Sequence, residues 1–253
     1  MLKLFFGAAR RAKRMRSALT SLITSAAIVF ASTAMSSAHN ARAQDPKIEM
    51  GTFYLCLLIK PANSAAGQMP EAQLVQAHFK HVQSLIASGK AAIAGPFGDD
   101  TRIAGVFVMN ASSSEEARAL EEADPLVKSG GFSVEVLKWW AAKGIMKPPQ
   151  PPIKMRTYYF AFLRRGPKWT AERSPETEKI QAGHMANINA MAKTGKLVIA
   201  GPFENGGDYA GVFVFKVDSI GEAKGLAEGD PAVKAGRLVV DVHPWMIAEG
   251  SLP

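Results

Sequence analysis

IAGPF occurs at Ile93–Phe97 and again at Ile199–Phe203. A Gly-Lys pair precedes each copy and an AGVFV run follows it, at Ala104–Val108 and Ala210–Val214. Shifting the chain by 106 residues lays one half on the other. His78 falls on His184, Asp124-Pro125 on Asp230-Pro231, Val127-Lys128 on Val233-Lys234 and Trp139 on Trp245. Between His78 and Trp139, 26 of 62 positions match their counterparts without a gap. Upstream, the same shift sets Leu57 on Leu163 and Pro61 on Pro167. Self-similarity of this kind marks a duplicated structural unit.

Hydrophobic patterning gives each unit its elements. Phe53–Ile59 (FYLCLLI) reads as a strand, with Tyr158–Leu163 as its copy. Pro70–Ser88 reads as a helix, because Leu74, Val75, Val82, Leu85 and Ile86 recur at helical spacing and Gly89 closes the run. Ile180, Ile188 and Met191 mark the same stripe before Gly195. Ala91–Phe97 and Ile103–Met109 are strands joined by a short polar loop. Ser113–Glu122 is a second helix with Ser113 or Ser114 as N-cap, and Phe132–Trp139 is the last strand.

The order βαββαβ is the ferredoxin-like split unit. Its helices cover one sheet face and leave a second apolar face to be buried. The expected architecture is therefore α+β: two tandem ferredoxin-like units packed sheet to sheet as an intrachain pseudo-dimeric barrel. The units span 50–145 and 154–250, with a Pro-rich linker at 146–153 that contains KPPQPP. A barrel closed within one chain predicts a monomer.

Residues 1–43 read as a secretory signal peptide. A basic lead (Lys3 to Arg16) precedes an apolar stretch, Ser17–Ser32, and Ala41-Arg42-Ala43 offers a cleavage pattern, with Ala38 as a second cut site. The apolar stretch is shorter than the ~20 residues a spanning helix needs. Export to the periplasm or beyond is expected, with no membrane attachment once the segment is removed. It holds seven Lys and Arg and no acid, leaving 23 basic against 22 acidic residues downstream. The near-neutral remainder carries no basic field for nucleic acid. Cys56 is the single cysteine, so no internal disulfide forms, and its apolar surroundings mark it as a buried strand residue.

His78 and His184 are the chemically informative residues. Leu74 and Val82 bracket the first at four-residue spacing, and Ile180 and Ile188 bracket the second. Side chains four apart share a helix face, so both imidazoles point inward and need partners. Asp124 and Asp230 are the matching acids. A carboxylate on one ring nitrogen fixes the tautomer and raises the basicity of the other, which prepares a general base worth ~10²–10⁴-fold in rate. The same pair also ties a helix to a loop, and spacing alone leaves both roles open. Gly95-Pro96 and Gly201-Pro202 read as strand-ending turns; the functional alternative is a small pocket near the histidine, walled by these residues with Phe97 and Phe203. His78, His81, Asp99 and Asp100 sketch a metal site in the first unit. Asn187, Asn205 and Gly206 replace three of them in the second, so no metal is expected. No dinucleotide fingerprint or GxSxG element is present.

The series His, GK-x-x-x-AGPF, AGVFV, DP-x-VK-x-G and a Trp-bearing strand resembles the YCII-related family over both units. The resemblance implies a dimeric α+β barrel, here with both halves in one chain, and an active site at His78 with Asp124 and at His184 with Asp230. Members with assigned chemistry act on ring compounds such as chlorinated aromatic diols, and the wider superfamily includes muconolactone isomerases. Some barrels of the wider class use haem, but no residue here singles out an axial ligand and no cofactor is expected. Export departs from the usual cytoplasmic member. The resulting expectation is a cofactor-independent lyase or isomerase acting on a small molecule, aromatic ones included. The alternative is a non-catalytic binding or interaction protein with structural His–Asp pairs.

Overall fold

The computed structural model describes residues 49–62, 71–204 and 206–253. The expected signal peptide and Pro70, the expected helix start, lie outside them. Both repeats belong to one compact unit. The first comprises β1 (Met50–Ile59), α1 (Ala72–Ala87), β2 (Ala91–Pro96), β3 (Ile103–Met109), α2 (Ser114–Glu122), α3 (Pro125–Lys128) and β4 (Ser133–Ala142). The second comprises β5 (Met155–Arg165), α4 (Pro175–Lys193), β6 (Leu197–Glu204), β7 (Tyr209–Phe215), α5 (Ile220–Glu228), α6 (Pro231–Lys234) and β8 (Leu238–Ala248).

Local chemistry sets these boundaries. Ser113 and Ser219 extend at the N-caps of α2 and α5 and accept the N–H of Glu116 and Glu222. Helices α1 and α4 end near Gly89 and Gly195, whose φ of 71° and 72° is open to glycine at little cost. The last strand runs to Ala142, three residues past the sequence expectation, because its continuation pairs with the start of β1: Met50 faces Ala142.

The eight strands run in the order β2-β3-β1-β4-β6-β7-β5-β8. β4 joins the halves by pairing Lys138 with Glu204 and Trp139 with Phe203 on β6. On the far side, Phe97 forms an isolated bridge to Trp245, and Gly98 N–H donates to Pro244 O at 2.8 Å. These two seams relate the repeats by a pseudo-twofold axis and close the sheet into a barrel.

The central core draws on both halves. Leu55, Leu57, Val106, Trp139, Phe160, Phe162, Val212 and Trp245 are among its buried members. Each fully buried Leu or Phe contributes roughly 1.5–3 kcal/mol, and half of these partners would be missing from an isolated repeat. Two outer cores fill the space between each sheet half and its helices.

The first strands carry a correction to the repeat register. Tyr54 faces Met109 and Tyr159 faces Phe215, so β1 and β5 are related by a shift of 105, against 106 for β3 and β7. Leu57 therefore corresponds to Phe162, not Leu163. Both lie in the central core, whereas Leu163 faces the helices. Strand side chains alternate, so a one-residue slip would have turned the whole strand inside out. The second repeat absorbs its extra residue between β5 and α4.

The strand-ending role of Gly-Pro holds in the first copy, where β2 ends at Pro96, but not in the second, where β6 continues through Gly201 and Pro202 to Glu204. A Cβ at Gly95 would stand 2.1 Å from Met246 O, and one at Gly201 would stand 2.0 Å from Trp140 O. Each glycine gives way to the last strand of the opposite repeat. Trp245 Nε1 donates to Gly95 O at 3.1 Å, and Trp139 Nε1 donates to Gly201 O at 3.1 Å. The repeated IAGPF is the seam by which the halves grip each other. The Pro-rich linker lies close by: Ile145 and Met146 pack on the central core, and Lys147 N–H donates to Ser251 O.

Candidate functional site

Asp124 and Asp230 each stand one residue before a proline that opens a four-residue helix. Proline at the first helical position gives up an N–H that had no partner. The aspartates are N-caps: Asp124 Oδ1 accepts Leu126 N–H at 2.8 Å, and Asp230 Oδ1 accepts Ala232 N–H at 2.8 Å. Both are fully buried. This geometry turns each carboxylate toward the long helix of its own repeat.

There the expected partners meet. His78 Nδ1 lies 2.5 Å from Asp124 Oδ2, and His184 Nδ1 lies 2.9 Å from Asp230 Oδ1. Burial pushes the Asp124 carboxyl upward, but hydrogen bonds from His78 and Leu126, with the charges of His78 and His81, hold it below the usual range. At Asp230 burial is likewise outweighed by His184 and Asn187. An ionised carboxylate only accepts, so each Nδ1 carries a proton and donates to it. Neither Nε2 has a hydrogen-bond partner among the described residues. The side chains of His78 and His184 are 17% and 12% exposed.

The two copies differ around this common pair. In the second repeat Asn187 Nδ2 donates to Asp230 Oδ2 at 2.9 Å, and Ala227 lies on α5. In the first repeat His81 and Glu121 occupy those positions. His81 Nε2 and both Glu121 oxygens are buried without partners. Burial, and then the Asp124 charge, push the Glu121 carboxyl up to about 8.

The six residues of the expected pocket wall lie elsewhere in the fold. Gly95, Pro96, Gly201 and Pro202 belong to the seams, and Phe97 is buried in the central core with Phe203 packed against it. The rings of His78 and His184 rest on Phe107 and Phe213, on the helix-covered sheet face. Cys56 is fully buried, and burial drives its thiol pKa up, away from nucleophilic use. Among the described residues no cluster of three or more His, Cys, Asp or Glu side chains is arranged to hold a metal.

A model of the YCII-related domain matches residues 52–140 and 159–246. The chain belongs to the YCII-related family. One relative, the uncharacterised protein YjpA of Bacillus subtilis (strain 168), is 37% identical over 65 residues, which are 26% of this chain and 74% of that protein. Among solved structures, a chlorite dismutase candidate superposes with a TM-score of 0.52 at 9% identity, covering 79% of this chain and 97% of that one. A double mutant of the chlorite dismutase of Candidatus Nitrospira defluvii gives 0.51 at 11% identity, covering 81% and 96%. These likenesses establish the dimeric α+β barrel fold for both YCII-related repeats together.

Sequence reasoning missed a third His–Asp pair, which joins the repeats. His243 on β8 reaches Asp99, in the loop after β2, with Nδ1 2.8 Å from Oδ2. Asp99 had entered only as a metal candidate. His243 has Leu137 as its twin, so a search for matched residues passes over it. It lines a cavity of about 500 Å³ at one mouth of the barrel. A haem group does not match that lining, since its apolar ring would meet Arg102, Glu135 and Asp241, and its propionates would face two carboxylates.

Proposed function

We propose that this YCII-related protein is a cofactor-independent enzyme that moves a proton on a small organic molecule, in lyase or isomerase chemistry. His78 and His184 are its general bases, and Asp124 and Asp230 orient them. One observation carries the reading: both repeats hold Nδ1–H on a buried carboxylate and leave Nε2 without a partner among the described residues, on side chains that are 17% and 12% exposed. That arrangement is what a neutral imidazole needs to take a proton. Barrel neighbours that include chlorite dismutases are compatible with small-molecule chemistry on this fold. The expected export signal supports a site of action in the periplasm or outside the cell.

The test is solvent deuterium incorporation. Small lactones, enolisable ketones and aromatic diols are incubated with the protein in deuterated water and followed by NMR. Incorporation that disappears in the double variant His78→Ala/His184→Ala supports the reading. Undiminished incorporation in a folded double variant overturns it. A second reading has its own observation: the same aspartates cap α3 and α6, so the pairs can serve as ties between helices. Ligand binding without exchange selects that reading.

A further inference from the structure

The cavity at the barrel mouth lies on the pseudo-twofold axis. Ile103 and its twin Tyr209 both line it, as do Glu135 and its twin Asp241. In a homodimer the two walls would be identical. Here they are not. His243 is the counterpart of Leu137, Tyr209 of Ile103, Arg164 of Ile59 and Arg102 of Asp208. The symmetry that holds at the seams is broken at this mouth. Fusion of the repeats permits a single asymmetric site per chain.

The second-repeat wall is held rigidly. The His243 ring stacks on Phe97 at 4.9 Å and 13°, and meets Phe162 edge-on at 6.0 Å. Asp99 fixes its Nδ1, and its Nε2 has no hydrogen-bond partner among the described residues. Tyr209 lies beside it. Burial, and then the Glu135 carboxylate, raise its phenol pKa, so it stays an O–H donor. Ile59, Ile103 and Phe162 bring the apolar core up to the cavity floor.

The charges around the cavity pair off unevenly. Arg164 Nε meets Asp241 at 2.8 Å, and His243 meets Asp99. Arg102 and Glu135 line the first-repeat wall, and neither has an ion-pair partner among the described residues. Arg102 precedes β3 and Glu135 lies on β4, with β1 between them. Arg102 lies beside Lys60 and Glu135 beside Leu57, so their backbones are two strand spacings apart across the sheet and three residues apart along it, roughly 14 Å, a gap that two long side chains bridge with a small group between them. One cation and one anion are left to be matched, above an apolar floor, in a volume within the ~300–1,000 Å³ range of ligand sites.

We propose that this mouth binds a small zwitterion with an apolar body, of the α-amino acid class. Arg102 takes its carboxylate, Glu135 takes its ammonium, and the side chain rests on Ile59, Ile103 and Phe162. His243 Nε2 and the Tyr209 O–H face it from the opposite wall. The site is distinct from the His78 and His184 pairs and stands whether or not those are catalytic.

Three probes of one shape separate the charges. L-phenylalanine carries both, 3-phenylpropionate lacks the ammonium, and phenethylamine lacks the carboxylate. Each is titrated against the full-length chain by calorimetry, with the His243 imidazole followed by NMR. L-Phenylalanine is expected to bind saturably, at least about tenfold more tightly than either analogue, the value of one charged hydrogen bond. Arg102→Gln is expected to weaken L-phenylalanine about tenfold and leave phenethylamine unchanged. Glu135→Gln is expected to do the converse with 3-phenylpropionate. Both replaced side chains are exposed, and circular dichroism checks that the variants fold. His78→Ala/His184→Ala is expected to bind L-phenylalanine like the wild type. L-Phenylalanine binding no more tightly than both analogues, or insensitive to both charge variants, overturns the proposal. Binding lost only in the His78/His184 variant places the ligand at those pairs and overturns it equally.

Discussion

Glu121→Gln isolates a charge that the first repeat buries at a cost. Glu121 is fully buried beside Asp124, its carboxyl is pushed up to about 8, and neither oxygen has a partner. The unfolded chain releases this proton near 4.5. Between these values the folded state binds more protons than the unfolded state, so stability falls as pH rises. The contribution is fully present below about 4.5 and fully lost above about 8. A shift of about 3.5 units at ~1.4 kcal/mol per unit sets a ceiling near 5 kcal/mol, and relaxation around the charge lowers this to roughly 3–5 kcal/mol. The amide of glutamine keeps the shape and does not ionise. Urea unfolding from pH 5 to pH 9 is therefore expected to show the wild type weakening by that amount relative to Glu121→Gln, with the two nearly equal at pH 5. The other titratable groups are common to both proteins and cancel in the difference. Parallel curves across the whole range would refute the reasoning, because they would mean that the Glu121 carboxylate is either hydrated or held by a hydrogen-bond donor.

Gly95→Ala forces its Cβ onto Met246 O at 2.1 Å, whereas the nearest neighbour of a Cβ at Gly98 is 3.5 Å away. The first variant is expected to lose about 3 kcal/mol or more in urea unfolding and the second to stay within ~0.5 kcal/mol; equal losses would remove the seam from the account. Asp230→Asn replaces the carboxylate that holds His184 and Asn187 and is expected to cost about 1.5–3 kcal/mol at neutral pH. The native Asp230 carboxyl lies below its usual range, so its contribution is present above about pH 4 and fades as pH falls through the lowered value. Unfolding at pH 7 and pH 3 checks that the gap narrows in acid. Light scattering is expected to give the mass of one chain, since both sheet faces are covered within it; a stable dimer would show that a further surface pairs between chains.

The legible part of this protein was what the two halves share. Identities at fixed spacing located the seams, the helices and both His–Asp pairs, because duplication preserves what each unit needs in order to fold. Three features escaped for physical reasons. The register of β1 and β5 slipped by one because an apolar run such as FYLCLLI carries no alternation to fix its face. Gly201-Pro202 read as a turn because the strand that crowds it comes from the opposite repeat, and local sequence carries no mark of it. Glu121 stands between Leu120 and Glu122 on a helix rich in acids, and nothing in the local sequence marks that α2 buries it beside Asp124.

His243 escaped for the opposite reason, and its position bears on why the chain is duplicated at all. Stability explains the fusion only in part, since two separate units pack their sheets as well. What separate identical units lack is a way to place different residues on the two sides of their axis. In this chain the seams stay symmetric, with Trp139 and Trp245 making the same bond at the same 3.1 Å. The residues around the axial cavity diverge instead, from Leu137 to His243 and from Ile103 to Tyr209. Changes confined to packing would tend to conserve volume and polarity; leucine to histidine backed by a carboxylate does neither. A partly buried polar pair of that kind costs stability unless it is satisfied, and here it sits on the lining of the axial cavity. Divergence concentrated at the axis, on a frame whose seams are unchanged, is the pattern expected when selection acts on what the mouth holds and not on how the barrel closes.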